Sequence, residues 1–98
     1  MIEACNSSQR TRFDASETAE ELDGNDAGRG ALLVYNEPGA ADCYVALGKT
    51  PTTTDYTIRV VAGAFLNATD LGGGKIWTGP VTAVWASATG ATQVTKVK

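Results

Sequence analysis

From Ala31 to Lys98 the chain repeats one pattern: a short run rich in Val, Ile, Thr, Tyr or Trp, then a cluster of Gly, Pro, Asn or Asp. Runs that short suit strands, and the turn formers between them end each strand before it can lengthen. The pattern predicts an all-β fold, a small antiparallel β-sandwich or barrel of about seven to eight strands with a polar N-terminal arm. A length of 98 residues leaves room for one domain. Residues 9–98 are expected to form it and residues 1–8 the arm.

Ala31–Asn36 (ALLVYN) reads as a buried strand ended by Asn36-Glu37-Pro38-Gly39, and Asp42–Leu47 (DCYVAL) as a second strand in hairpin with it. Gly48–Asp55 is a polar loop, since Pro51 cannot donate to a ladder. Tyr56–Val61 turns at Ala62-Gly63 into Ala64–Ala68, a further hairpin. After the glycines at 72–74 come Lys75–Thr78, then Val81–Ser87 and Thr92–Lys98 as a hairpin about Gly90. Upstream, Gln9–Asp14 alternates Arg10, Arg12 and Asp14 toward water with Thr11 and Phe13 inward. Thr18-Ala19-Glu20-Glu21 fits a capping box that would open a single helical turn.

Charge and composition exclude several functions. Eight Lys and Arg against eleven Asp and Glu give a net charge of −3, which offers no basic footprint for nucleic acid. Seven of the eleven acids fall in residues 1–30. The chain has no His, and so lacks the usual general base near neutral pH and the commonest nitrogen ligand of zinc. No apolar run approaches the roughly 18 residues of a membrane-spanning helix. Cys5 and Cys43 are too few for a four-sulfur metal site. By count they can pair; with no secretory leader in the sequence, two reduced thiols are the expectation, Cys43 acting as a small core hydrophobe.

Motif fragments fail on their spacing. Gly28-Arg29-Gly30 has Leu33 where a dinucleotide fingerprint needs its third Gly, and a strand follows where a helix must begin. Gly72-Gly73-Gly74-Lys75 is followed by Ile76 in place of the Ser or Thr of a phosphate loop. Asp23-Gly24-Asn25-Asp26-Ala27-Gly28 starts like a calcium loop, but Ala27 and Val34 stand where oxygen ligands belong. Asn6-Ser7-Ser8 and Asn67-Ala68-Thr69 match the glycosylation pattern without a route to the secretory machinery. Glu17, Glu20 and Glu21 are the acid–base candidates, and they read as a solvated acidic segment. Trp85 shares a face with Val81 and Ala83 and is expected in the core, which leaves Trp77, beside Gly79-Pro80, as the indole for an interface. No catalytic residue, cofactor or metal site is expected.

The order of the segments Asn6-Ser7-Ser8-Gln9-Arg10, ALLVYN-EPGA-ADCYVALG, TTTDYTIRVVAGAFLN and TGPVTAVWASATGATQVTKV carries a likeness. It resembles small bacteriophage virion proteins of the capsid decoration (cement) or head-and-tail accessory type, over about residues 6–97. The resemblance implies a non-enzymatic protein of the virion, made in the bacterial cytoplasm, whose partner is the phage major capsid protein. Equivalent docking sites around local threefold axes suggest a homotrimer. Contacts are expected at Ile2, Arg10, Arg12, Phe13 and Trp77, with neither nucleic acid nor membrane as partner. The alternative is a carbohydrate- or receptor-binding module of a head or tail fibre, stacking on Trp77 and Tyr44. A hydrolase using Glu20 and Glu21 ranks last.

Overall fold

A computed structural model describes residues 5–98 as an all-β globule. In chain order the strands are β1 (Ser8–Asp14), β2 (Glu20–Asp23), β3 (Ala31–Asn36), β4 (Cys43–Leu47), β5 (Ile58–Val60), β6 (Phe65–Asn67), β7 (Asp70–Gly72), β8 (Lys75–Ile76), β9 (Val81–Trp85) and β10 (Ala91–Val97). The first sheet has the order β1-β10-β3-β6, the second β2-β9-β4-β5, and β7 and β8 form a separate two-stranded ribbon. Every pairing is antiparallel.

The two sheets bury one core. Leu32 and Val34 from β3 and Val94 from β10 pack with Leu22, Cys43, Val45, Val60, Val81, Ala83 and Trp85 from the second sheet. Trp85 is 1% exposed, a burial that by itself stabilises the fold by about 2–3 kcal/mol. Each of these strands turns alternate residues inward, which is the period of two seen in the sequence.

The expected hairpins are a different matter. ALLVYN and DCYVAL do not pair: β3 lies in the first sheet and β4 in the second. The Tyr56–Val61 and Ala64–Ala68 segments likewise divide between sheets as β5 and β6, and the two C-terminal strands as β9 and β10. In each case the connection is an arch that crosses from one layer to the other. Two strands with one apolar face each can pair edge to edge or pack face to face, and alternation satisfies both arrangements. Gly90 still does what its turn requires: its φ is +82°, and a Cβ there would stand 2.6 Å from Ala40 Cα.

Two other expectations change. ALLVYN is not buried throughout, because Leu33 and Tyr35 face outward. The capping box at Thr18–Glu21 opens no helix, since Glu20 and Glu21 pair with Ala83 and Thr82. The backbone bond from Trp85 N to Ser16 O, 2.9 Å, holds the chain against β9 from the start, and extension carries Leu22 into the core. Burial of Leu22 outweighs a cap worth about 1 kcal/mol.

A buried polar chain bolts the layers together. Trp85 Nε1 donates to Thr92 Oγ1 (2.9 Å), Thr92 Oγ1 donates to Asn36 Oδ1 (2.7 Å), and Asn36 Nδ2 donates to Ala41 O (2.9 Å) and Val60 O (3.0 Å). Cys43, also fully buried, has its thiol pushed up to about 12 by burial, which keeps it neutral and inert. It is not bonded to the exposed Cys5.

Arg29 closes one end of the sandwich with a side chain that is 0% exposed. Its Nε donates to Asp23 Oδ2 (3.0 Å), and Nη1 and Nη2 donate to Trp77 O (2.8 Å), Gly24 O (2.7 Å) and Gly79 O (3.2 and 3.1 Å). A guanidinium that satisfies its fork in this way bears burial where an unpaired charge could not.

Candidate functional site

The outer face of the first sheet gathers the features that suit contact with another surface. Its registers align two rows across four strands. One row runs Arg12, Gln93, Tyr35, Phe65, and the other Arg10, Thr95, Leu33, Asn67. Each row passes from a cation on β1, through a polar residue on β10, to a large side chain on β3, Tyr35 or Leu33; the first row goes on to Phe65 and the second ends on Asn67. Phe65 is 77% exposed, and Leu33 and Tyr35 are 40% and 37% exposed. Phe65 and Tyr35 are direct cross-strand neighbours, so the apolar groups are contiguous. A contiguous patch, unlike scattered exposed leucines, makes this face the candidate for a binding surface.

Ion pairing organises the cationic side. Arg12 Nε donates to Glu37 Oε2 at 3.0 Å, and Gln93 Nε2 donates to the same oxygen at 2.9 Å. Arg12, and after it Gln93, holds the Glu37 carboxyl below its ordinary value. Arg12 also lies 3.4 Å from Asp14 Oδ1. Among the described residues, Arg10 has no carboxylate in salt-bridge reach.

The expected contact residues separate on this geometry. Arg10 and Arg12 lie on the face, pointing outward as alternation requires. Phe13 points the other way, half-buried against the core. Trp77 is also half-buried against the core, and its Nε1 donates to Pro80 O at 3.0 Å, so its polar edge is engaged within the chain. Ile2 lies outside the described residues. Leu33, Tyr35 and Phe65 had no signal of their own: the first two sat in a run that reads as buried, and Phe65 in a segment that reads as half of a hairpin.

The acidic segment after β2 is engaged by cations. Asp23 accepts from Arg29 and from Lys96 (3.2 Å), and Asp26 meets Lys96 and Lys98, each at 3.1 Å. Lys98, with Lys96 beside it, draws the Asp26 carboxyl down to about 2. Oxygens held this way brace the end of β10; they do not form an anionic cage for calcium. Glu17 and Glu21 are exposed and Glu20 is half-exposed on β2. Among the described residues, no three of the His, Cys, Asp and Glu side chains group so as to hold a metal ion.

On the outer side of the second sheet, the Tyr44 and Tyr56 rings lie 4.8 Å apart, inclined by 58°. Arg59 Nε donates to Asp42 Oδ2 at 3.0 Å on the neighbouring edge. Comparison with protein-family models, with curated proteins and with solved structures finds no match.

Proposed function

We propose that the chain is a non-enzymatic structural protein of a bacteriophage virion, a capsid decoration (cement) protein that docks on the assembled head. The observation that carries this reading is the exposed row of Phe65, Tyr35 and Leu33 beside Arg10 and Arg12 on a four-stranded face. The segment order quoted above supports it, and so does the engagement of Asp23, Asp26 and Glu37 in ion pairs within the fold. The partner is the major capsid protein, met by a homotrimer around a local threefold axis. The mechanism is mass action: a protein that binds the closed shell and not its separated subunits stabilises the shell as its concentration exceeds its dissociation constant.

Cosedimentation with heads stripped of accessory proteins tests the reading. The wild-type chain is expected to pellet with the heads and raise the temperature at which they open. Phe65→Ser removes an exposed side chain, so it should alter the fold's own stability by no more than about 0.5 kcal/mol and abolish pelleting. Pelleting that Phe65→Ser leaves unchanged would refute docking through this face.

The second reading is a carbohydrate-binding module of a head or tail fibre. The tilted Tyr44–Tyr56 pair favours it, because aromatic faces in that setting stack on sugar rings. Glycan titration followed by NMR separates the readings: saturable shifts at Tyr44 and Tyr56 favour the module.

A further inference from the structure

We infer that the free edge of β1 is a strand-addition site for an extended segment of a partner protein that carries carboxylates at alternate positions. The sandwich has four edge strands, and three of them are guarded. β5 and β6 have three residues each, and β2 is broken in register between Glu21 and Asp23. β1 has seven residues, no Pro, and an unbroken register with β10 from Ser8↔Val97 to Asp14↔Ala91. Long, flat edges are what natural sheets avoid unless something covers them.

The hydrogen-bond phase of β1 follows from its ends. Ser7 and Lys98 exchange both backbone bonds (3.2 and 2.9 Å), and Ala15 N donates to Gly90 O (2.9 Å). In an antiparallel ladder the bonded pairs alternate, so Gln9, Thr11 and Phe13 bond to β10. The N–H and C=O groups of Ser8, Arg10, Arg12 and Asp14 then point out of the sheet, a ready template for an added strand.

Two further observations define what fits. On this flank the layers stand apart, leaving a cleft of about 230 Å³ lined by Gln9 and Thr11 of β1, by Leu22, Leu32 and Val94, and by the paired Asp23 and Lys96. Inward side chains of an added strand would lie over that mixed lining, which suits short β-branched residues such as valine or threonine. Its outward side chains would stand opposite Arg10 and Arg12, which suits carboxylates, and among the described residues no carboxylate lies in salt-bridge reach of Arg10. A second copy of β1 fits less well. The antiparallel register that uses the whole strand sets Arg10 against Arg12 twice; a shift that pairs Arg10 with Asp14 sets Arg12 against itself and gives up Ser8 and Gln9 at each end. The inference goes beyond the decoration reading and holds whatever the partner is.

The test uses the full chain and a capped heptapeptide that alternates valine with glutamate, read by amide hydrogen exchange. Exchange at Ser8, Arg10, Arg12 and Asp14 is expected to slow at least about tenfold, with Gln9, Thr11 and Phe13 unchanged because β10 already protects them. A heptapeptide with lysine for glutamate should bind about tenfold more weakly. Arg10→Glu, which leaves the Arg12–Glu37 contact in place, should shrink that preference. Absence of slowing at millimolar peptide would overturn the inference, as would equal binding of the lysine peptide. Protection of the same four amides that grows with protein concentration alone would also overturn it, by assigning the edge to a second copy.

Discussion

Asn36→Leu keeps the branched outline of the side chain, adds bulk to a fully buried site, and removes the centre of the bolt between layers. Ala41 O, Val60 O and the Thr92 hydroxyl would lose their partner in a site that is 0% exposed at Asn36. Unsatisfied buried groups cost about 1–3 kcal/mol each, so urea unfolding should report a loss of about 3 kcal/mol or more. Cys43 gives a second check on the same region. Burial keeps its thiol neutral, so a thiol reagent at neutral pH should label Cys5 in the native chain and reach Cys43 only after denaturant is added. Mass spectrometry of the labelled peptides reads the result. The roles of these residues differ in how visible they were. Cys43 alternates with Val45 and Leu47, and its burial was legible; Asn36 sat in a turn cluster, and composition cannot say whether an Asn caps a loop or enters a core. Arg29 had no signal, since a Gly-Arg-Gly loop is ordinarily solvated.

At the scale of the element, strand positions were legible and their neighbours were not. β3, β4, β9, β10 and β1 fall within a few residues of their expected limits, because turn formers and a period of two are local properties. Choice of neighbour is non-local. The arches after Asn36 and Trp85 depend on contacts between residues far apart in the chain, such as Thr92 with Asn36 and Asn36 with Val60. The face proposed for docking was half legible for the same reason: Arg10 and Arg12 follow from alternation, whereas Phe65 gains its meaning only from lying across from Tyr35. The end of β10 has a measurable element-level consequence. Asp26, drawn down to about 2 from an ordinary 3.8, stabilises the fold above the ordinary value and loses that contribution as pH falls through about 2. Urea midpoints should therefore be level above about pH 5 and decline below about pH 4, and Asp26→Asn should flatten the decline.

At the scale of the whole molecule, β10 is the central fact. It pairs with both β1 and β3, so the last strand of the chain lies inside the first sheet and joins its two halves. Its partner β1 comes from the opposite end of the sequence, and beyond that pair Asn6 N donates to Lys98 O at 2.8 Å. From residue 6 to residue 98 the backbone thus nearly closes on itself, and which strand leads is a matter of where that ring is cut. A circular permutant that joins residue 98 to residue 6 by a short linker and opens between Gly73 and Gly74 should keep the parent's circular dichroism and melt within a few degrees of it. Gly73 and Gly74 have open space around them, so a cut there disturbs no packing. The same adjacency means that cargo joined at residue 6 or at residue 98 would emerge from one corner of the sandwich, away from the arch at Gly90 that lies at the opposite end of β10.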